Sequence, residues 1–141
     1  MAASYTVVEK TFENYMNSLG KGTYIVRFPD TKEVNSLLWH TGICKKVILP
    51  RRPSDFLVTE KGHTYYAEIK STANPKGLTS NLFSQQKGER TRILAAGGDY
   101  VYFIYNIQSM KWYKVPAREL NENAKWIELT KFIVDIPKVN I

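Results

Sequence analysis

Apolar positions recur at helical spacing near the start of the chain. Between Thr6 and Leu19 the apolar side chains are three or four residues apart: Val8, Phe12, Tyr15, Met16 and Leu19. Ser4 or Thr6 is placed to cap the first turn, and Gly20 follows the last apolar position. These are the usual signals for a helix start and end. The pattern predicts an amphipathic first helix.

Shorter apolar runs that follow are typical of strands. Tyr24 to Arg27 is one such run, and Ser54 to Thr59 and Thr64 to Ile69 are two more. The last two are joined by Glu60-Lys61-Gly62-His63, whose Lys-Gly pair suits a tight turn. We therefore expect the two runs to pair as an antiparallel hairpin.

The second half of the chain repeats the order of helix and strands. Residues 71–80 are polar and contain Asn-Pro-Lys-Gly, which predicts a loop, and Ser84 to Ala96 reads as a helix stopped by two glycines. Tyr100 to Ile107 is aromatic and β-branched with little polar interruption, which is typical of a strand covered on both faces. Lys111 to Val115 follows as its hairpin partner.

The order of elements predicts an α/β fold with a mixed central sheet flanked by helices. A length of 141 residues predicts a single domain over 1–141. Residues 29–52 interrupt the order as an appendage, and the tail from Lys125 to Ile141 is apolar enough to dock but open in type.

The net charge of the chain indicates the class of its binding partner. Lys plus Arg number 20 against 13 Asp plus Glu, a net charge of +7, which favours a polyanion such as nucleic acid. No apolar run approaches the roughly 18 residues that a membrane span needs, and the start lacks the order of a secretory signal, so we expect an intracellular, cytoplasmic protein without membrane contact. One cysteine and two histidines exclude an internal disulfide and argue against structural zinc.

The candidate chemistry lies in the predicted hairpin. Asp55 follows Pro53-Ser54 on the first strand, and Glu68 and Lys70 lie on the second. Side chains alternate along a strand, so Glu68 and Lys70 share one face while Ala67 and Ile69 point to the core. Such charges are common on edge strands, but two of them on a central strand are unexpected without a use.

These groups predict a site for a hard divalent cation. Asp55 and Glu68 supply carboxylate oxygens, and the Ile69 carbonyl and a first-helix glutamate complete an oxygen shell around Mg²⁺. Glu9 and Glu13 lie four residues apart on one edge of that helix, so either is a candidate. Lys70 is placed to orient a metal-bound water or to stabilise charge on a phosphate oxygen.

Pro53-Ser54-Asp55 and Glu68-Ile69-Lys70 resemble the motif of the PD-(D/E)XK nuclease superfamily. The first helix, with Glu9 eleven residues before Gly20, resembles the helix that supplies a catalytic glutamate in archaeal Hjc-type Holliday junction resolvases. Residues 53–120 are similar to RecU-type resolvases in the runs GHTYYAEIKST, LTSNLFSQQ, DYVYFIYNI and WYKVPAREL. RecU-type enzymes carry a stalk insertion at the place that residues 29–52 occupy.

The resemblance implies a nuclease core with a stalk-like insertion. It also implies roles for individual residues of the site. Asp55, Glu68 and Lys70 would be the metal and catalytic residues, Glu9 the helix acid, and Gln86 a residue of the helix after the site. The implied activity is Mg²⁺-dependent cleavage of branched DNA, the four-way junction, by a homodimer, with Mn²⁺ as a substitute for Mg²⁺. Two alternatives stay open: a nuclease of the same fold acting on linear or flap DNA, and a non-catalytic DNA-binding module.

Two basic groups are candidate DNA contacts. The first lies at the end of the appendage and comprises Lys45, Lys46, Arg51 and Arg52; the alternative is a solvated loop. The second lies on the predicted second helix and comprises Gln86, Lys87 and Arg90; plain solubility is the alternative there.

Overall fold

Six strands pair in the order in which they occur along the part of the chain that the structure describes. The structure is a computed structural model and describes residues 6–42 and 51–141. The strands are β1 (Thr23–Arg27), β2 (Phe56–Glu60), β3 (His63–Thr72), β4 (Tyr100–Asn106), β5 (Lys111–Pro116) and β6 (Ile133–Val134). The α-helices are α1 (Val7–Ser18), α2 (Thr31–His40) and α3 (Lys87–Ala95). Short 3₁₀ helices cover Ser80–Phe83, Ala117–Glu119 and Trp126–Phe132.

The sheet is mixed, because β3 and β4 are parallel while the other neighbours are antiparallel. A parallel pair needs a crossover, and the chain between Thr72 and Tyr100, which includes the first 3₁₀ helix and α3, provides it. β3 therefore lies inside the sheet between β2 and β4. The predicted α/β class with a mixed sheet flanked by helices is confirmed at this level.

The β2–β3 hairpin forms as the sequence predicts. Lys61 and Gly62 have φ of 51° and 78°, the positive values that a tight two-residue hairpin turn requires. The register pairs Phe56 with Ala67, which brings Asp55, just before β2, opposite Glu68. β3 is longer than predicted and takes in the first two residues of the expected loop at 71–80.

One face of the sheet is covered by α1 and the C-terminal tail. The Thr6 hydroxyl caps α1 by accepting a hydrogen bond from the Glu9 amide at 3.1 Å. Phe12 is fully buried and its ring centroid lies 4.5 Å from that of Phe103. The tail docks on the same side, where Trp112 Nε1 donates to the Pro137 carbonyl at 2.9 Å. The predicted first helix is confirmed, and the tail consists of a 3₁₀ helix, a two-residue strand and irregular chain.

The opposite face is covered by α3 and the 3₁₀ helices. Every residue of β4 is buried, as predicted for a strand covered on both faces. The expected second helix over Ser84 to Ala96 is wrong at its start: α3 begins only at Lys87, after Gln86 with φ of 60°. The reason is that Phe83 is fully buried under the sheet, and the chain must turn between that anchor and α3.

The predicted appendage contains α2. Asp30 caps this helix by accepting from the Glu33 amide at 2.8 Å, and the Arg27 guanidinium forms a double hydrogen bond with the Glu33 carboxylate. Leu37 and Trp39 are exposed on α2. Residues 43–50, which hold Lys45 and Lys46, lie outside the described residues. Across 6–42 and 51–141, none of the helices has the length and apolar character needed to cross a bilayer.

Candidate active site

Asp55 and Glu68 form a buried carboxylate pair where β2 begins beside the middle of β3. The Asp55 amide donates to Glu68 Oε1 at 3.0 Å, and the Ile69 amide donates to Asp55 Oδ2 at 2.8 Å. Each residue is 4% exposed. The antiparallel register fixes this reciprocal contact, since it places the two residues opposite each other. The sequence-based expectation that the two carboxylates meet across the hairpin agrees with this geometry.

Burial is the main influence on the Glu68 carboxyl. Loss of water raises the pKa of Glu68 to about 8, and the neighbouring Asp55 raises it as well. Lys70 opposes this rise, because its Nζ lies 3.2 Å from Glu68 Oε2. Lys70 comes two residues after Glu68 on β3, so the period of the strand places the ammonium and the carboxylate on the same face.

Glu9 brings a third carboxyl to the pair from the first turn of α1. It is 8% exposed, and its Oε1 accepts from the Thr6 hydroxyl at 3.1 Å. Its Oε2 is buried and has no hydrogen-bond partner among the described residues. Burial first, and Asp55 second, raise the pKa of Glu9, which places the two carboxyls within electrostatic reach of each other.

Glu13 lies one turn further along α1 and is half-buried. Its charge acts on Arg27, whose pKa is raised by Glu33 first and by Glu9 and Glu13 more weakly. The described contacts therefore associate Glu9, rather than Glu13, with Asp55. The sequence did not distinguish Glu9 from Glu13 as the first-helix acid, because both lie on one edge of the helix.

Gln86 lies against the Glu68 carboxylate. With the amide turned so that both of its ends are satisfied, the side-chain nitrogen donates to Glu68 Oε2 at 2.6 Å and to Oε1 at 3.2 Å. Its φ of 60° is in the left-handed region, where a non-glycine residue is strained. The sequence analysis placed Gln86 among DNA contacts, whereas here it contacts the carboxylate pair.

Arg52 is the contact that sequence reasoning missed. Its Nη2 donates to Asp55 Oδ1 at 2.8 Å and its Nη1 to the Phe28 carbonyl at 2.9 Å, and its side chain is 19% exposed. The Phe28 amide in turn donates to the Asp55 carbonyl at 2.9 Å. Spacing alone offered only a weak signal, an arginine three residues before the aspartate, because the partner strand β1 comes from a distant part of the sequence.

A cleft of about 300 Å³ opens beside these groups, between the start of α1, β3 and the first 3₁₀ helix. Glu9 and Lys70 line it together with polar and apolar residues. The other lining residues are Thr6, Val8, Ile69, Ser71, Asn81, Leu82, Ser84 and Gln85. The cleft therefore reaches Glu9 and Lys70 directly, whereas Asp55 and Glu68 are not among its lining residues.

No three His, Cys, Asp or Glu side chains within 6–42 and 51–141 are already arranged as a metal centre. The oxygens of Asp55 and Glu68 face protein donors instead. The donor set nevertheless suits Mg²⁺ or Mn²⁺, because it is made of oxygens and includes the buried, unpartnered Oε2 of Glu9. The Ile69 carbonyl as a further ligand stays a prediction.

The basic candidates fall into two classes. Arg51 and Lys87 have side chains that are 66% and 56% exposed, and each forms a surface ion pair, Arg51 with Glu89 at 3.3 Å and Lys87 with Glu122 at 3.5 Å. Arg90 is held inside the protein: its side chain is 12% exposed, its Nη2 lies 3.1 Å from the Glu122 carboxylate, and its Nη1 donates to the Tyr102 hydroxyl at 3.0 Å. Arg90 and the equally engaged Arg52 thus depart from the expectation of free surface cations.

No protein-family model matches the chain, and a search of the curated proteins finds no match. The function is therefore argued from the geometry of the site.

Proposed function

We propose that this protein is a Mg²⁺-dependent DNA endonuclease with a PD-(D/E)XK core that cuts four-way junctions as a homodimer. The observation that carries the proposal is the buried Asp55–Glu68 pair, with Lys70 Nζ 3.2 Å from Glu68 Oε2, at the start of β2 and on β3 inside the sheet. Burying carboxylates side by side costs stability, and such clusters with perturbed pKa values are typical of functional sites. Glu9 adds a third acid from α1.

The proposed mechanism assigns a task to each of these side chains. Asp55, Glu68 and Glu9 would hold the metal, which when bound lowers the pKa of a water and offsets phosphate charge. Lys70 orients the attacking water and donates to a phosphate oxygen, so that attack on phosphorus runs in line with the leaving 3′ oxygen. Gln86 keeps the Glu68 carboxylate turned toward the site through its amide nitrogen.

The choice of substrate is proposed to lie in residues 29–52. This segment leaves the sheet after β1 and contains α2, which exposes Leu37 and Trp39. A stalk with basic residues and an exposed aromatic side chain suits the open centre of a junction, where phosphates of several strands and unstacked bases lie close together. The net charge of +7 supports a polyanionic substrate.

The homodimer is proposed because a four-way junction is resolved by paired cuts. In a homodimer, the two-fold axis alone places one copy of the site against each of two DNA strands.

Cleavage of labelled DNA tests the proposal. A four-way junction and a linear duplex of matched sequence are incubated with the protein and either Mg²⁺ or a chelator, and the products are resolved on a gel. We expect paired nicks in the junction with Mg²⁺ alone, no cleavage by Asp55→Asn or Glu68→Gln, and normal cleavage by the control Glu119→Gln, whose side chain is 55% exposed.

Junction binding by the two inactive variants is expected to stay intact, since loss of a negative charge also reduces repulsion of phosphate. Full activity in Asp55→Asn would refute the assigned site. Equal cutting of duplex and junction would retain the nuclease and refute the junction selectivity. No cutting of either DNA would refute the nuclease.

A further inference from the structure

Arg52 places a positive charge beside the three carboxyls of Glu9, Asp55 and Glu68, which we call the acid cluster. Its guanidinium donates to Asp55 Oδ1 at 2.8 Å, and its charge lowers the pKa of Glu9, against the larger effect of burial. Among the described residues, Glu9, Asp55 and Glu68 bring three carboxyls to the site, and Arg52 and Lys70 are the cations in contact with them. Arg52 thus supplies part of the positive charge that a metal would otherwise supply.

A divalent cation on Asp55 must compete with this guanidinium. Both Asp55 oxygens already accept a hydrogen bond, Oδ1 from Arg52 and Oδ2 from the Ile69 amide. The Ile69 amide belongs to the backbone of β3 and cannot leave, whereas the arginine side chain can rotate away. Like charges a few ångströms apart repel strongly in a partly buried site, so the metal and the guanidinium oppose each other on one carboxylate.

The position of Arg52 in the chain also favours a contact with DNA. It is the last residue of the proposed stalk segment and stands next to Arg51, whose side chain is 66% exposed. A guanidinium presents a planar fork that fits two phosphate oxygens, as it does two carboxylate oxygens. A side chain displaced from Asp55 would therefore find an equivalent partner on a backbone phosphate at the entrance to the site.

We propose that Arg52 is a displaceable counter-ion of Asp55, which a divalent cation replaces and which then binds a DNA phosphate. The proposal rests on the nuclease function above and adds a coupling between its two ligands. Because the same side chain leaves one and joins the other, metal and DNA raise each other's affinity by the same factor. The site in this scheme holds metal weakly until DNA arrives.

Calorimetric titration with Mn²⁺ in the absence of DNA is the first test. Arg52→Gln is expected to bind Mn²⁺ about tenfold more tightly than the wild type, because the repelling charge is gone. Arg51→Gln removes the same charge from the neighbouring exposed position and is expected to bind Mn²⁺ as the wild type does. Equal or weaker Mn²⁺ binding by Arg52→Gln would overturn the proposal.

Asp55→Asn separates this proposal from the proposed function. If the wild type binds Mn²⁺ and Asp55→Asn does not, the metal site stands and the Arg52 variants decide the counter-ion. If Asp55→Asn binds Mn²⁺ as the wild type does, the metal site itself is wrong, and both proposals fail.

The second test measures junction affinity with and without Mn²⁺ in a Lys70→Ala background, which retains the proposed ligands and slows cleavage. Mn²⁺ is expected to tighten junction binding, and Arg52→Gln and Arg52→Lys are expected to reduce this tightening about tenfold, since a lysine has no fork. Arg52→Lys keeps the charge, so it decides the question if Arg52→Gln fails to fold. Unchanged tightening in Arg52→Lys would overturn the proposal, and the control Lys131→Gln, at a side chain that is 71% exposed, is expected to keep the full effect.

Discussion

The buried acidic side chains of the site lower the stability of the fold. The Glu68 carboxyl is buried beside Asp55, and both effects disfavour its ionised form, against the opposing contact with Lys70. Glu9 is buried with one oxygen unpartnered in the described structure. An apolar core at these positions would be more stable, and this cost is what a functional interpretation of the cluster explains.

The raised pKa of Glu68 makes the stability of the metal-free protein depend on pH. The folded state binds this proton more tightly than the unfolded chain, so protonation stabilises the fold. That stabilisation is complete below the ordinary pKa of 4.5 and is lost as the pH rises through about 8. In chemical denaturation at pH 8 with a chelator, Glu68→Gln is expected to exceed the wild type by on the order of 1–3 kcal/mol in free energy of unfolding.

The control for this experiment is Glu119→Gln at the exposed surface, which is expected to leave the free energy of unfolding unchanged at both pH 5 and pH 8. A wild type that gains stability between pH 5 and pH 8 relative to Glu68→Gln would contradict the prediction.

Lys70 is expected to act in the transition state rather than in folding. Lys70→Ala should lower the cleavage rate by about 10²-fold or more while leaving the melting temperature within a few degrees of the wild type. Lys70 also lowers the pKa of Glu68, so its removal should move the pH–rate profile to higher pH. The single-turnover rate measured across pH checks both effects; a collapse of the melting temperature would instead mark Lys70 as a structural partner.

At the scale of elements, the hairpin of β2 and β3 does most to build the site, and it was predictable from the sequence. Its Lys-Gly turn fixes the pairing, and the two-residue period then places Glu68 and Lys70 on one face. α1 was predictable from its apolar stripe. The start of α3 was not, because Phe83 anchors the chain before the helix, and this long-range packing carries no local signal.

The remaining features of the site depend on contacts between segments that are distant in the sequence, and local sequence patterns do not predict such contacts. Arg90 pairs with Glu122, more than thirty residues away, and Arg52 is fixed by the Phe28 carbonyl on the other side of the insertion. Both arginines look like free surface cations in the sequence. Charge composition predicts a basic protein, but only the packing determines which cations remain available.

The placement of α1 distinguishes its two acids. Glu9→Gln is expected to lower the cleavage rate at least tenfold more than Glu13→Gln, because Glu9 lies within electrostatic reach of Asp55 while Glu13 acts on Arg27. The two variants remove the same charge one helical turn apart and so control for each other. A larger loss in Glu13→Gln would show that the acid one turn further along α1 serves the site.

At the scale of the whole molecule, Arg52 joins the end of the insertion to Asp55, and α2 belongs to a different part of the fold from the proposed site. Glu68 lies on β3 inside the sheet, with Asp55 just before β2 and Glu9 on α1, whereas α2 follows the edge strand β1 in the chain and has no buried residue among those described. Changes to the insertion other than at Arg52 are therefore expected to alter which DNA is bound without altering the reaction on DNA that is bound.

Substitution of Lys45, Lys46 and Arg51 together by alanine tests this separation. Junction affinity is expected to fall far more than duplex affinity, with a shallower dependence on salt, and the single-turnover rate on bound DNA is expected to persist. Arg52 is left in place because it contacts Asp55. Equal loss for junction and duplex would make the segment a general electrostatic patch.

The three tryptophans give this molecule built-in optical reporters. Trp39 on α2 is 68% exposed, whereas Trp112 under α1 is fully buried, and Trp126 is half-buried with its indole N–H on the Asn74 carbonyl. A soluble quencher such as acrylamide should therefore extinguish the emission of Trp39 first and that of Trp112 last. Shielding of the most accessible component by a junction, with the buried component unchanged, would follow engagement of α2 in real time without any attached dye.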